Sequence, residues 1–174
     1  STESIAKKLN GRNLPLTIDS MEKNIFDIAG VRVVCSYIDD IYQIADAFLR
    51  QDDIRLIARK DYIEEPKPNG YRSLHLIVSV PVFFAEKRKE VNAEVQIRTI
   101  AMDFWASLEH QMKYKRSIPD QQEISEGLRG CADVIARTDR EMLALRRRIE
   151  AAEDLPSEDD ELFDRLKKLD IQIG

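Results

Sequence analysis

A chain of 174 residues, 43% apolar and 34% charged, can bury a real core as one domain with room for an appendage, and is too apolar to be disordered. Its formal net charge of -5 argues against a general nucleic-acid binder, which is usually basic, so DNA and extended RNA are not expected partners. With no apolar run near the ~20 residues of a membrane helix and no signal-peptide core in STESIAKKLN, a cytoplasmic protein without a membrane partner is expected.

In chain order, the pattern predicts a helix over 2–10 with Ile5 and Leu9 on one face, ended by Gly11. A second helical turn follows over 17–24. The β-branched run GVRVVCSYI predicts a buried strand over 31–38. Asp39 and Asp40 can cap a helix whose apolar face is Ile41, Ile44, Ala45 and Phe48. Three more strands are expected in IRLIARKDY, YRSLHLIVSVPVFF and NAEVQIRT, the last two joined through AEKRKEV as a hairpin with a loose tip. A helix over 100–114 should present Ala101, Trp105, Leu108 and Met112.

Further on, Leu128, Cys131, Ile135, Thr138, Met142, Leu145 and Ile149 recur in steps of three and four. That is a heptad stripe on a helix of roughly 30 residues, which needs a partner helix from this chain or another subunit. Pro156 ends it, and Ser157 caps a last short helix carrying Leu162, Phe163, Leu166 and Leu169. The fold class expected is α+β, a mixed sheet flanked by helices, with residues 1–115 as the main domain and 116–174 as a helical extension for oligomerisation or packing. Cys35 and Cys131 lie far apart in apolar surroundings and read as reduced core thiols, with one disulfide as the alternative.

Four places carry residues suited to chemistry. On a strand, Glu94, Gln96 and Arg98 share one face while Val95 and Ile97 enter the core. A carboxylate, an amide and a guanidinium in a row can meet a metal, a base edge or hydroxyl, and a phosphate; an ordinary solvated sheet face explains them as well. Asp27, at the entry to the first strand, suits Mg²⁺ or a turn cap. Basic residues gather at Arg55, Arg59, Lys60, Lys67 and Arg72 and again at Lys87, Arg88, Lys89 and Arg98, which suits a small polyanion better than a duplex. In KPNGYRSLH, Tyr71 can stack on a nucleobase, while Lys60, Lys67, Arg72 and His75 can hold phosphates. Cross-strand packing is the plainer account of Tyr71 and His75. Asp103, Glu109 and His110 lie on the 100–114 helix without zinc-ligand spacing. The sequence has no P-loop, no G-x-S-x-G and no kinase signature.

Taken in order, DIAGVR, KDYI with PKPNGYRSLH, EVQIRT and AMDFWASLEHQMKYK resemble the synthetase domain of the RelA/SpoT family, and within it the stand-alone small alarmone synthetases, over residues 4–115. The resemblance implies a nucleotidyltransferase-like fold and a diphosphokinase that moves the β,γ-pyrophosphate of ATP to the 3′-hydroxyl of GDP or GTP, giving (p)ppGpp and AMP. It implies Asp27 and Glu94 as magnesium carboxylates and Glu94 as the general base. Tyr71 would stack on the guanine, with Lys60, Lys67, Arg72 and His75 on the acceptor's phosphates. Gln96 would place its ribose, and Asp103, where some relatives carry Asn, would contact ribose or phosphate. Arg32 and Lys8 would face the ATP phosphates, with Arg12 standing in for a family Arg that falls on Gly11. Arg98 and Glu109 would support the site.

An Arg and a Lys that grip ATP in the family would lie before Ser1. The resemblance also implies a homotetramer, and synthesis of alarmone without its hydrolysis. A catalytically inactive guanine-nucleotide sensor or oligomer partner on the same fold is the alternative. Another metal-dependent nucleotidyltransferase or an RNA-binding protein is the third reading, and the acidic charge and the single stacking Tyr71 disfavour extended RNA.

Overall fold

The computed structural model describes residues 2–17, 20–21, 24–25, 29–85, 87–114 and 120–153. Helix α1 (Thr2–Asn10) is followed by β1 (Ala29–Cys35), α2 (Ile38–Leu49), β2 (Arg55–Asp61), β3 (Leu74–Phe83), β4 (Arg88–Thr99), α3 (Ile100–Tyr114) and α4 (Gln121–Glu153). The four strands form one sheet in the order β1-β4-β3-β2. β1 runs parallel to β4, while β3 is antiparallel to both β4 and β2. The expected α+β class with a mixed sheet is what forms. Among the described residues no helix is long and apolar enough to cross a membrane.

One face of the sheet makes the core. Val95 and Ile97 of β4 join Leu74, Leu76 and Val78 of β3, packed on Ile41 and Ala45 of α2 and Met102 of α3. Several details differ from the sequence pattern. β1 begins two residues early and ends at Cys35. The cap of α2 is Tyr37, whose N–H donates to Asp40 Oδ2 at 3.1 Å, so Asp40 sits inside the helix, and the expected apolar face is kept at Ile41, Ala45 and Phe48. Ile41 and Ala45 are buried and Ile44 is exposed. Most of AEKRKEV is strand: Phe83 pairs with Arg88, and Phe84 N–H donates to Lys87 O at 2.8 Å just beyond the strand ends.

Thr99 starts α3 by accepting from Met102 N–H at 3.1 Å and donates to buried Asp139 at 2.6 Å. That fixes the phase of α3, so Met102, Trp105, Ala106 and Glu109 are buried while Met112 is exposed. Along α4 the buried positions are Ala132, Ala136 and Asp139, with Leu128 and Ile135 packed beside them; Cys131 and Thr138 of the heptad stripe are exposed. Small residues win here because a helix face packed close to backbone has room for little more than a methyl group. Cys131 is therefore not a core thiol. Cys35 is partly buried, and burial with the neighbouring Asp40 and Asp139 carboxylates pushes its pKa up to about 11, which keeps it a thiol. Both cysteines are free.

The chain divides into two compact units, Ser1–Asp139 and Arg140–Gly174. In the second, Met142, Leu145 and Ile149 are exposed on α4. The short helix expected after Ser157, with Leu162, Phe163, Leu166 and Leu169, lies outside the described residues, as does part of the turn expected over 17–24.

Candidate active site

The sheet's other face carries the polar residues, and its register explains why they meet. Arg32 of β1 pairs with Gln96 of β4, Gln96 pairs with His75 of β3, and His75 pairs with Lys60 of β2. Directly paired residues share a face, so four side chains from four separate segments form one row across the sheet. Glu94 lies two residues before Gln96, opposite Gly30, which has no side chain to crowd it.

Around Glu94 the side chains close into a ring. His75 Nδ1 lies 2.9 Å from Glu94 Oε1, and Gln96 Nε2 donates to Oε2 at 2.8 Å. Gln96 Oε1 accepts from Arg98 Nη2, which also donates to the Tyr71 hydroxyl at 2.6 Å. That hydroxyl lies 2.8 Å from His75 Nε2. Burial pushes the Tyr71 pKa up, so the phenol keeps its proton. His75 thus bridges the Tyr71 hydroxyl and Glu94 through its two ring nitrogens. The His75 bond, helped by Gln96 and by the charges of His75 and Lys60 against the opposing effect of burial, lowers the Glu94 pKa to about 2. Glu94 is an ionised carboxylate with both oxygens engaged.

Arg98 is the most buried cation of the ring, with a side chain 5% exposed. Its Nη1 binds Asp103 Oδ1 at 3.2 Å, and the same oxygen takes Arg32 Nη1 at 3.2 Å. Both guanidiniums thus share one carboxylate. Arg32, Tyr71, Gln96, Arg98, Glu109 and His110 line an open cleft of about 490 Å³, which is in the size range of ligand pockets.

The turn before β3 is held by its own backbone. Gly70 N–H donates to Lys67 O at 2.8 Å with Gly70 at a φ of 90°, a conformation that favours glycine. Asn69 accepts from Tyr71 N–H at 3.2 Å and donates to Glu109 at 2.9 Å. Glu109 therefore anchors the turn. Lys67 Nζ stands 4.7 Å from the Tyr71 ring centroid and 4.5 Å from that of Tyr62, and the Arg98 guanidinium is 5.2 Å from Tyr71. The aromatic ring carries cations over it, as its quadrupole favours.

Of the residues singled out in the sequence, Glu94, His75, Gln96, Arg98, Tyr71, Lys67, Lys60, Arg32 and Asp103 come together here. Arg72 does not: it leaves the sheet face to bind the carbonyls of Gly70 and Ala132 and the carboxylate of Asp133. Arg12 donates to Asn24 O at 2.5 Å, and Lys8 is exposed on α1. Asp27 lies outside the described residues. Asn69 and Tyr62 escaped the sequence reading, although Pro-Asn-Gly is a turn in which Asn commonly bonds the backbone two residues on. No group of three metal-ligating side chains occurs among the described residues. Asp103 Oδ1 is committed to two arginines, and both Glu94 oxygens accept hydrogen bonds.

Comparison with known proteins identifies the family. Residues 1–119 match the region found in RelA/SpoT proteins. The chain is 44% identical over 150 residues to the GTP pyrophosphokinase YwaC of Bacillus subtilis, a match covering 86% of this chain and 71% of that protein. The structure of small alarmone synthetase 1 from Bacillus subtilis bound to its product pppGpp superposes with a TM-score of 0.78 at 35% identity, covering 86% of this chain and 75% of that one. The same enzyme bound to AMPCPP gives 0.69 at 30% identity, over 87% and 75% of the two chains. This chain belongs to the RelA/SpoT family.

Proposed function

We propose that this protein is a (p)ppGpp synthetase of the stringent response, transferring the β,γ-pyrophosphate of ATP to the 3′-hydroxyl of GDP or GTP. The observation that carries this is the ring that fixes an ionised Glu94 beside a row of basic side chains, in a chain whose relatives are GTP pyrophosphokinases. The acceptor's 3′-oxygen bonds to the β-phosphorus as the bond from that phosphorus to the α,β-bridging oxygen breaks, and AMP leaves with that oxygen. The hydroxyl proton passes to Glu94. Such a transfer needs alignment and charge neutralisation more than a covalent nucleophile.

The residues divide the work by position. Glu94 must release one hydrogen bond to meet the hydroxyl, and the neutral amide of Gln96 is the weaker partner, so Oε2 turns to substrate while His75 holds Oε1. A carboxylate this acidic is a weak base, and it suffices because the hydroxyl acidifies as its oxygen bonds to phosphorus. The guanine takes the Tyr71 ring face and displaces Lys67 towards the acceptor's phosphates, near Lys60 and His75. Arg32 faces the ATP phosphates. Asp27 and Glu94 would hold Mg²⁺, whose charge would neutralise the triphosphate. A cytoplasmic homotetramer completes the proposal.

The test is turnover of ATP with GDP or GTP and Mg²⁺, resolved by anion-exchange chromatography, for wild type and Glu94→Gln. A tetra- or pentaphosphate with matching AMP is expected, falling by roughly 10²–10⁴-fold in the variant. A wild type that makes no product yet binds GTP through Tyr71 would be a nucleotide sensor instead.

A further inference from the structure

The turn that carries Tyr71 is gripped from outside the sheet. A Cβ built on Gly70 would come within 2.6 Å of Ala132 Cβ and 3.5 Å of Arg129 Cα, so the turn backbone lies against α4. Arg72 staples the contact. Its Nη1 donates to Gly70 O at 3.1 Å and to Ala132 O at 3.3 Å, and its Nη2 meets Asp133 Oδ1 at 3.1 Å. Trp105 Nε1 donates to Leu128 O at 2.9 Å, and Tyr71 packs beside Trp105, Ala106 and Ala132. These α4 residues lie beyond 1–119, the stretch that matches the family region.

We propose that Ala132 and Asp133 are positioning residues for the acceptor nucleotide: α4 locks the Lys67–Arg72 turn, and through it the Tyr71 ring, in the orientation that receives guanine. The proposal rests on the synthetase reading for its ligand and on geometry for the lock. Arg72 acts in the lock rather than on phosphate. Its side chain is 16% exposed, with three oxygens around it, whereas Asp133 is 62% exposed. Removing Asp133 therefore loosens the turn without opening a cavity, and enlarging Ala132 wedges it away. Neither residue touches substrate, so the effect should fall on the guanine nucleotide and spare ATP.

The experiment is steady-state kinetics on the whole protein for Asp133→Ala, Asp133→Glu and Ala132→Leu, with melting temperatures and amide hydrogen exchange over residues 67–75. Asp133→Ala should raise KM for GTP about three- to fivefold with kcat and KM for ATP little changed. Asp133→Glu should restore it, and Ala132→Leu should raise it about tenfold. In Asp133→Ala and Ala132→Leu, exchange in 67–75 should quicken. Should Ala132→Leu fail to fold, Asp133→Ala decides alone. An unchanged or lowered KM for GTP in Asp133→Ala would free Arg72 for phosphate and overturn the proposal, as would unaltered exchange in the turn. Exchange needs no turnover, so an inactive wild type would sink the synthetase reading while the lock is still decided.

Discussion

β4 buries its two faces by different means. Val95 and Ile97 go into a cluster with Leu74, Leu76, Val78, Ile41 and Ala45, where any well-shaped apolar neighbour serves. Glu94, Gln96 and Arg98 alternate with them and enter a ring in which donors meet named acceptors. Apolar burial is non-directional and scales with area; a buried polar network depends on every member and is costly when half satisfied. One face should therefore govern stability and the other activity, although the residues are adjacent in sequence.

Two substitutions pull these roles apart. Leu76 is fully buried, so Leu76→Ala should cost about 3 kcal/mol in urea unfolding while folded molecules keep their turnover. Arg98→Lys should cost less, about 1–2 kcal/mol, because the charge stays. A lysine has no planar fork, however, and cannot serve Tyr71, Gln96 and Asp103 together. Turnover per folded molecule should fall roughly tenfold or more. If both variants lost activity only in proportion to unfolding, the two faces would not be functionally distinct.

A pH titration sharpens the same contrast. Glu94 is lowered from 4.5 to about 2, so its contribution is complete above the unfolded value and is lost as pH falls through the folded one. Wild type should lose on the order of 2 kcal/mol more than Glu94→Gln between about pH 6 and pH 3, read as unfolding free energy at each pH. Parallel curves would mean that the ring does not hold the carboxylate. No such difference is expected for Leu76→Ala against wild type.

The alternation along NAEVQIRT was visible in the sequence because strand geometry fixes it with period two. The motif order also pointed to Tyr71, His75 and Glu94 together. What stayed hidden was register. Nothing local says that Arg32, Gln96, His75 and Lys60 stand in one row, since that follows from the parallel β1–β4 pairing and the bulge-shifted β2–β3 pairing. The helix faces are only partly legible for a related reason: Trp105, Leu128 and Ile135 pack as their spacing indicates, but the hydroxyl of Thr99 and the closeness of the Gly70 turn set which stripes of α3 and α4 are buried. Arg72 belonged to the basic cluster by sequence, and only Asp133, 61 residues on, shows where it goes.

Asp103 offers the smallest effect and the finest distinction. By resemblance it stands where some relatives carry Asn, and the structure sets its Oδ1 between Arg32 and Arg98. The two guanidiniums are unlike: the Arg98 side chain is 5% exposed and keeps Gln96 and Tyr71, whereas that of Arg32 is 53% exposed. Asp103 therefore competes with an incoming triphosphate mainly for Arg32. Asp103→Asn removes the competing charge and leaves an oxygen for Arg98, so KM for ATP should fall about two- to fourfold with KM for GTP little changed, the size expected of a partly exposed ion pair. The gain should shrink as salt rises, because screening weakens the Arg32–phosphate attraction that the variant exposes. A raised KM for ATP would mean instead that Asp103 aims Arg32 at the nucleotide, and that the carboxylate belongs to the binding face rather than restraining it.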